Sequence, residues 1–355
     1  MKKGLSILLP TYNCLCIDLV KALHRQCEPL DIPFEILVAD DGSPDRSFVE
    51  KNKAIEQLSH VQYILHPTNI GRSAIRNLLA RASQYEWLIF IDGDLTLDNP
   101  HFITRYAEAA SLGPVSHCSA AIPPTSPVVV GGIAIGGDPH LWKNNLRYRY
   151  EKRCEAAHHA DRRAERTHQE FRTTNFMVHR DVILQYPFDE HFLHYGYEDV
   201  LFGKTLSESN VRITHIDNPI LLDDFEDNPT FVSKNEEALR TLFTFQKQLA
   251  GYSTLLDCYN RLKAFHLLPI VNLFYKMAGK AIKNNLQHNN PQVFLFNIYK
   301  LLYLSGFLSI LHFCGRKVFV TVLILLFAPS LTTHMRNTWR ARFSSGRDSI
   351  RRIFR

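Results

Sequence analysis

The chain has 355 residues, of which 45% are hydrophobic and 21% charged, and its formal net charge is +6. This length allows one large or two modest domains. The hydrophobic share is sufficient for a core and argues against an intrinsically disordered chain. Residues 329–355 contain seven arginines and one aspartate, so this segment carries the whole charge excess. A nucleic-acid-binding protein is disfavoured, because phosphate binding needs a broad basic face on the folded body.

Four continuous apolar runs begin at residues 5, 34, 61 and 86, and segments with helical periodicity lie between them at 15–25, 46–58 and 73–83. This alternation is typical of βαβ units and predicts an α/β fold with a Rossmann-like, mostly parallel sheet flanked by helices. Right-handed crossovers place the carboxyl ends of the strands at one edge, where open α/β sheets bind ligands.

The segments that follow these strands are polar. Each loop alone could be ordinary turn chemistry, because Asp, Asn and Gly are common turn residues. Four such segments at one edge predict a ligand site, with these candidates in chain order: Thr11, Tyr12, Asn13, Asp40, Asp41, Arg72, Arg76, Asp92, Gly93 and Asp94.

Asp92 and Asp94 close the fourth strand only two residues apart. Like charges this close raise one of the two pKa values unless a cation lies between them. Oxygen ligands suit Mg²⁺ or Mn²⁺, and a metal held there could neutralise a leaving diphosphate. The sequence therefore predicts a divalent metal site at Asp92 and Asp94.

The middle of the chain excludes one class of cofactor and adds two acids. The glycines of residues 113–150 do not fit the G-x-G-x-x-G spacing, which excludes a nicotinamide or flavin site. The arginine-rich residues 144–172 predict a solvated helix or a mobile loop. Glu198 and Asp199 begin an apolar helix; capping explains one acid, and the other could act as a general base.

These motifs together resemble the family 2 glycosyltransferases, which have the GT-A fold. The resemblance rests on SILLPTYN, FEILVADDGSPD, NIGRSAIRN, WLIFIDGD and the later Glu198-Asp199 pair, and it covers about residues 4–245. It implies an inverting, hexosyltransferase-type enzyme that moves a sugar from a nucleotide-diphosphate sugar to an acceptor hydroxyl. We expect a UDP-sugar donor, although Asp40 and Asp41 could hydrogen-bond uracil or guanine.

The resemblance also implies residue roles. Thr11, Tyr12, Asp40 and Asp41 match positions that hold the nucleoside. Further donor-binding positions are Asn13, Arg72, Arg76, Asp92 and Gly93, and Asp92 and Asp94 match the metal motif. Asp199 matches the catalytic base and Glu198 the acid that orients the acceptor. Gly131, Gly132 and Asn175 match positions that line the sugar pocket.

One position departs from the family pattern. Many relatives have a histidine, usable as a third metal ligand, where this chain has Leu222. Asp223, Asp224 or His215 could replace it, and the sequence leaves the choice open.

We expect a catalytic domain at residues 1–250, with a donor half at 1–112 and an acceptor half at 113–250, followed by an α-helical extension at 251–355. Residues 293–314 contain one formal charge, Lys300, and residues 318–328 none. This predicts a monotopic hairpin whose arginine-rich tail contacts anionic lipids. A helical pair docked on the catalytic domain and a true membrane span are the alternatives.

The lack of a signal peptide and the scattered cysteines predict a cytoplasmic protein, peripheral or monotopic on the cytoplasmic face of the inner membrane. The expected role is synthesis of a surface polysaccharide, lipopolysaccharide or capsule on a glycan or lipid-linked glycan acceptor. The alternatives are an inactive membrane-bound scaffold and a sugar-nucleotide pyrophosphorylase. The latter would need a glycine-rich, basic phosphate loop after the first strand, where this chain has PTYN.

Overall fold

The computed structural model of the chain describes residues 2–112 and 126–312, with side chains as far as residue 306. Its strands are β1 (Lys2–Thr11), β2 (Phe34–Asp40), β3 (Val61–Leu65), β4 (Tyr85–Ile91), β5 (Val128–Val130), β6 (Ile133–Ile135), β7 (Asn175–His179), β8 (Ile213–His215) and β9 (Ile220–Leu222).

The α-helices are α1 (Ile17–Cys27), α2 (Arg46–Asn52), α3 (Arg72–Ala82), α4 (Phe102–Ala109), α5 (Pro139–Trp142), α6 (Leu146–Cys154), α7 (Ala160–Ala164), α8 (Arg180–Gln185), α9 (Glu198–Glu208), α10 (Asn228–Thr244), α11 (Thr254–Ala264), α12 (Leu268–Gln287) and α13 (Val293–His312). Short 3₁₀ helices extend α2 (Lys53–Gln57) and α6 (Glu155–His158).

The main sheet has seven strands in the order β3-β2-β1-β4-β7-β5-β8. The first four are mutually parallel, whereas β7 is antiparallel to both β4 and β5. A separate parallel pair, β6 and β9, lies next to the main sheet. The predicted mostly parallel α/β sheet is confirmed, and β7 enters it at the edge where β4 ends, because Asn175 pairs with Ile91.

Apolar layers cover both faces of this sheet, and they follow the two-residue alternation of a strand. Ile7 and Leu9 of β1 face the layer formed with α1 and α4, whereas Leu8 faces the layer formed with α3, α8 and α9. Burial on both faces explains why the strand sequences are continuously apolar. It also fixes the carboxyl edge of the sheet as the place where polar loops can gather.

The C-terminal helices pack against α6 and α10. Phe231 and Val232 of α10 share an apolar cluster with Leu286 of α12 and with Phe296 and Leu302 of α13. Residues 293–306 therefore pack on the rest of the described chain, as the alternative of a docked helical pair expects, and apolar packing crosses the predicted boundary at residue 250. Residues 313–328 and the arginine-rich tail lie outside the described part of the chain.

None of the helices within residues 2–112 and 126–312 is both long and apolar enough to cross a membrane.

The arginine-rich stretch at 144–172 forms α6, a 3₁₀ turn and α7. The expectation of a solvated helix or mobile loop is wrong for Arg163, because this side chain is only 4% exposed. Its guanidinium donates hydrogen bonds to the carbonyl oxygens of Val130 (3.0 Å), Gly131 (3.2 Å) and Ile216 (2.8 Å). This buried cation adds hydrogen bonds to three carbonyls at the carboxyl ends of β5 and β8, and two of them, those of Val130 and Gly131, also accept backbone amides.

Candidate active site

A cleft of about 750 Å³ opens at the carboxyl edge of the sheet, and residues of α6, α9, α10 and α13 form its opposite wall. Ten of the predicted site residues line it: Thr11, Tyr12, Asp41, Arg72, Arg76, Asp92, Gly93, Asp94, Glu198 and Asp199. Asn13 and Asp40 lie one layer behind the cleft wall.

Asp40 and Asn13 stabilise the loops that follow β1 and β2. The carboxylate of Asp40, which is 1% exposed, accepts hydrogen bonds from the Ser43 amide (2.8 Å), the Ser43 hydroxyl (2.7 Å) and the Tyr63 hydroxyl (3.2 Å). The backbone N–H of Asn13 donates a hydrogen bond to the Ser43 hydroxyl at 2.8 Å, and Asn13 lies in the left-handed region with a φ of 48°. These bonds tie the loop after β1 to the loop after β2, so both residues act on the cleft indirectly.

Asp41 and Tyr12 lie on the part of the cleft wall that these two loops form. The two oxygens of Asp41 accept hydrogen bonds from the backbone amides of Ile70 (2.7 Å) and Gly71 (3.0 Å). Burial raises the pKa of Asp41, and these two amides oppose the rise. The Tyr12 side chain is 48% exposed on the cleft wall, where its ring is available for stacking.

Asp92 and Asp94 lie at the floor of the cleft. Between them Gly93 is packed so closely on β1 that a Cβ atom there would lie 2.5 Å from Cγ2 of Thr11. Desolvation within the cleft and the neighbouring charge of Asp92 raise the pKa of Asp94, while Arg147 and Arg72 oppose this. A pair of carboxylates that repel each other in this way suits a divalent cation.

Arg76 connects the two groups of acids. It is 2% exposed, its Nη2 lies 2.7 Å from Oδ1 of Asp92, and its Nη1 lies 3.6 Å from Oε1 of Glu198. Arg72 lies on the cleft side of the same contact, with its Nη1 3.9 Å from Oε1 of Glu198 and its guanidinium 4.5 Å from the centre of the Tyr195 ring. The arginine of the N-x-G-x-x-x-x-R-N motif thus holds the metal motif and the Glu-Asp motif together.

Glu198 and Asp199 begin α9, which follows a strained turn. Gly196 (φ 95°) and Tyr197 (φ 70°) both lie in the left-handed region. A Cβ on Gly196 would lie 2.7 Å from Cβ of Ala238, so this turn is pressed against α10. Burial raises the pKa of Glu198, the arginines 72 and 76 oppose the rise, and the charge of Asp199 adds to it. The first turn of a helix favours negative charge, which stabilises two carboxylates there.

The acceptor-side wall contains charged residues that the sequence analysis did not single out as site residues. Arg147 forms an ion pair with Glu226, and Nζ of Lys234 lies 3.4 Å from the same carboxylate. Burial lowers the pKa of Arg172, but the carboxylates of Asp199 and Glu170 outweigh this and raise it. Two features of the sequence could have pointed to these residues. Arg147 belongs to the basic LRYRYEKR segment, and Lys300, which also lines the cleft, is isolated in an apolar stretch.

None of the candidate third metal ligands lines the cleft. His215 contacts Nη1 of Arg163 (2.7 Å) and the carbonyl of Thr167 (2.8 Å), and burial lowers its pKa to about 4. Asp223 accepts a hydrogen bond from Thr96, and Asp224 accepts one from the amide of Phe225. Leu222 itself does line the cleft. Within residues 2–112 and 126–312, no group of three His, Cys, Asp or Glu side chains is arranged to hold a metal ion.

Asn175 and Gly132 line the cleft, whereas Gly131 lies behind it. The Asn175 amide donates to the carbonyls of Gly132 and Asn218, both at 2.8 Å, and its oxygen accepts from the Tyr106 hydroxyl at 2.6 Å. Asn175 therefore fixes the backbone that forms this part of the cleft wall.

The strand order, with one antiparallel strand in a parallel sheet, and the cleft with carboxylate pairs at its carboxyl edge define a GT-A-type domain. Residues 6–179 match the family described as glycosyl transferase family 2.

Curated relatives align over shorter segments. An uncharacterized glycosyltransferase of Haemophilus influenzae is 30% identical over 93 residues, which are 25% of this chain and 36% of the relative. A chondroitin synthase of Escherichia coli is 33% identical over 111 residues, which are 31% of this chain and 16% of the relative. The chain thus spans little more than a third of the first relative and less of the second.

Two solved structures are similar to this chain in their overall fold. The mannosyltransferase PcManGT from Pyrobaculum calidifontis, in complex with GDP-Man and Mn²⁺, is 12% identical, with 89% of each chain covered and a TM-score of 0.47. S. aureus TarS 1–349, in complex with UDP-GlcNAc, is 13% identical, with 87% of this chain and 92% of that chain covered and a TM-score of 0.45.

Proposed function

We propose that the protein is an inverting glycosyltransferase that transfers a sugar from a nucleotide-diphosphate sugar, with UDP-sugars the first candidates, to a hydroxyl of a glycan or lipid-linked glycan. The observation that supports this most is the arrangement of two acid pairs on separate elements. Asp92 and Asp94 follow the end of β4, Glu198 and Asp199 begin α9, and Arg76 contacts one acid of each pair. A leaving diphosphate and an attacking hydroxyl need separate groups of this kind.

In this mechanism Asp199 takes the proton of the acceptor hydroxyl as the hydroxyl oxygen attacks the anomeric carbon. The new bond from this oxygen to the anomeric carbon forms while the bond from that carbon to the diphosphate oxygen breaks, on the opposite face of the sugar. The configuration is therefore inverted. A positioned base typically contributes about 10²–10⁴-fold to the rate. Glu198 orients the acceptor, and Arg72 supplies positive charge near the diphosphate.

The residues present fit a divalent ion. Asp92 and Asp94 offer hard carboxylate oxygens. Desolvation and, after it, the charge of Asp92 raise the pKa of Asp94, and a bound cation would offset both. These two residues would hold Mn²⁺ or Mg²⁺ together with the donor diphosphate, and the ion would neutralise charge on the leaving group. Because Arg76 donates to Oδ1 of Asp92, this arginine also holds the carboxylate in a fixed orientation.

The nucleoside would lie on the donor side of the cleft, between the exposed ring of Tyr12 and the carboxylate of Asp41. Thr11 shapes that wall by donating its hydroxyl to the carbonyl of Ala39 at 3.3 Å. Asp40 and Asn13 support these residues from behind, so their substitution would weaken donor binding indirectly.

We further propose that the C-terminal helices face an anionic membrane surface on the cytoplasmic side, where a lipid-linked acceptor for a surface polysaccharide would be found. α12 exposes Ile270, Leu273, Phe274 and Met277 along one helical face, and the exposed Lys280 lies one turn further on. An apolar face next to basic side chains is typical of helices that lie on a membrane surface.

A panel of UDP- and GDP-sugars tested by thermal shift with Mn²⁺, followed by assay of nucleoside diphosphate release, tests the proposed function. A donor at 100 times its Kd should stabilise the protein by about 2.7 kcal/mol. We expect stabilisation by at least one donor and release of its nucleoside diphosphate. Binding without any release would favour an inactive scaffold, and absence of both would contradict the proposal.

A further inference from the structure

Helix α13 brings one lysine to the catalytic cleft. Lys300 lines the cleft, and its Nζ lies 4.8 Å from the centre of the Tyr150 ring and 4.7 Å from the centre of the Phe296 ring. It is the only Lys, Arg, Asp or Glu among residues 293–314. A segment that is otherwise suited to apolar packing therefore places its single charge at the cleft.

Three other cations that line the cleft have carboxylate partners within the protein. Arg147 and Lys234 both pair with Glu226, and Arg172 pairs with Glu170 at 3.5 Å. Across the described ranges 2–112 and 126–312, Lys300 makes no hydrogen bond and no ion pair, and its polar neighbours are Glu151 and Cys154 of α6. Glu151 lies in turn 3.5 Å from Nε2 of His158.

A partly buried ammonium without an anionic partner is unfavourable, and two aromatic rings compensate for this only in part. Burial accordingly lowers the pKa of Lys300 to about 8, and Glu151 and Cys154 oppose the decrease. A methionine would fill the same space between the rings without this cost. The charge is therefore explained better by a ligand that enters the cleft than by the stability of the fold.

Asp199, the proposed catalytic base, and this lysine belong to one continuous wall. Asp199 is close enough to Arg172 to raise the pKa of that guanidinium, and Tyr150 in turn feels the charge of Arg172 and carries Lys300 on its ring face. An acceptor whose hydroxyl reaches Asp199 would extend past Tyr150 toward Lys300.

We propose that Lys300 binds an anionic group of the acceptor, a carboxylate or a phosphate, so that the preferred acceptor is an acidic glycan or a phosphate-bearing one. This rests on the proposed glycosyltransferase function. The Tyr150 ring offers an apolar face for the sugar that carries the anion, and the ammonium selects its charge. The C-terminal extension then contributes an acceptor-specificity residue to the catalytic domain.

Binding of defined probes to the full chain tests this without any need for turnover. Lysines are labelled by reductive ¹³C-methylation, and the Lys300 signal is identified by its loss in Lys300→Arg. Glucose, glucuronate and glucose 6-phosphate are then titrated in the presence of a nucleoside diphosphate. We expect the Lys300 signal to move with glucuronate, with glucose 6-phosphate or with both, and not with glucose; the two anions separate a carboxylate from a phosphate acceptor.

The matched variants are Lys300→Met and Lys263→Met, the second at an exposed position of α11 outside the cleft. Lys300→Met should lower the affinity for the anionic probe at least tenfold, with nucleotide-sugar binding unchanged and the melting temperature equal to or above that of the wild type, whereas Lys263→Met should change none of these. A Lys300 signal that responds to no probe, or equally to glucose, overturns the proposal. Loss of nucleotide-sugar binding by the wild-type chain would instead indicate failure of the proposed function.

Discussion

Arg76 is the side chain on which both acid pairs of the site depend. It is almost fully buried, and its guanidinium contacts Asp92 and Glu198, which come from distant parts of the chain. Removing one partner of a buried ion pair leaves an uncompensated charge, which is strongly unfavourable. Arg76 therefore contributes to the geometry of the cleft and to the stability of the fold at once.

We predict that Arg76→Met lowers the free energy of unfolding by about 3–5 kcal/mol and also lowers kcat, because Asp92 and Glu198 lose their shared cation. The matched control is Arg81→Gln in the same helix, whose pair with Glu190 at 3.6 Å is exposed and worth at most about 1 kcal/mol. Denaturant unfolding and steady-state kinetics measure both effects. Wild-type stability and turnover in Arg76→Met would contradict this role.

Lys300 should make the affinity for an anionic ligand decrease as the pH rises. Its pKa is lowered to about 8 in the free protein, with Glu151 and Cys154 of α6 as its polar neighbours and the rings of Tyr150 and Phe296 against it. The charged form binds an anion, so affinity for glucuronate or glucose 6-phosphate should fall as pH rises through about 8. Lys300→Arg stays charged and should lose this dependence. A profile that is the same in both proteins would contradict the assignment.

The candidate site was predictable where chemistry and spacing coincide. Asp92, Asp94, Glu198 and Asp199 stand in short motifs whose residue types and positions on strand and helix ends already indicate their place at one edge. Arg163 and Lys300 could not be predicted in the same way, because nothing in their local sequence specifies which carbonyls or rings they meet. Only tertiary packing turns a surface-like arginine into a buried one.

At the scale of elements, the buried carboxylate of Glu236 links three C-terminal helices. It belongs to α10, accepts a hydrogen bond from the Tyr299 hydroxyl of α13, and lies 2.7 Å from Nζ of Lys283 in α12. A bond to a buried charged group is stronger than one between neutral groups, and the loss of a partner exposes the penalty of burial. This contact therefore fixes α13, and with it Lys300, on the acceptor half.

We predict that Tyr299→Phe lowers the free energy of unfolding by about 1–3 kcal/mol, because Glu236 loses a hydrogen bond inside the protein. Tyr303→Phe in the same helix is the control; its hydroxyl accepts from Arg240 at an exposed position, so about 0.5 kcal/mol or less is expected. Chemical denaturation of both variants provides the comparison. Equal effects of the two substitutions would show that the buried contact has no special weight.

The first four strands and the helices between them were predictable because each is long enough to show a hydrophobic period. The strands β5, β6, β8 and β9 have three residues each, too few for any period, and the structure alone reveals them. Hydropathy also could not separate a helix that packs on α10 and α12 from one that lies on a membrane, since both require the same apolar residues.

For the whole molecule, the docked position of α13 changes how membrane association is tested. Removing residues 290–355 would strip Phe296, Tyr299 and Leu302 from the apolar cluster shared with α10 and α12. A chain ending at residue 312 keeps this cluster and lacks the arginine-rich segment that carries the charge excess.

We predict that the chain ending at residue 312 retains its melting temperature and its donor binding, but floats less with phosphatidylglycerol vesicles than the full chain does. The arginines of residues 329–355 should each add about 1 kcal/mol to binding at an anionic surface. Leu273→Gln combined with Met277→Gln is a second variant, which tests the exposed face of α12. Unchanged flotation of the shortened chain would assign the contact to the helices alone, and absence of flotation by the full chain would contradict membrane association.

In the proposed mechanism Asp92 and Asp94 hold the donor diphosphate with a divalent ion while Asp199 removes the acceptor proton. Its most direct test is calorimetric binding of the donor, with and without Mn²⁺, to the wild type, Asp94→Asn and Asp199→Asn, together with nucleoside diphosphate release by each. We predict that Asp94→Asn loses the Mn²⁺-dependent part of donor binding, and that Asp199→Asn binds the donor like the wild type but turns over about 10²–10⁴-fold more slowly. Donor binding by Asp94→Asn that still responds fully to Mn²⁺, or wild-type turnover by Asp199→Asn, would contradict the account.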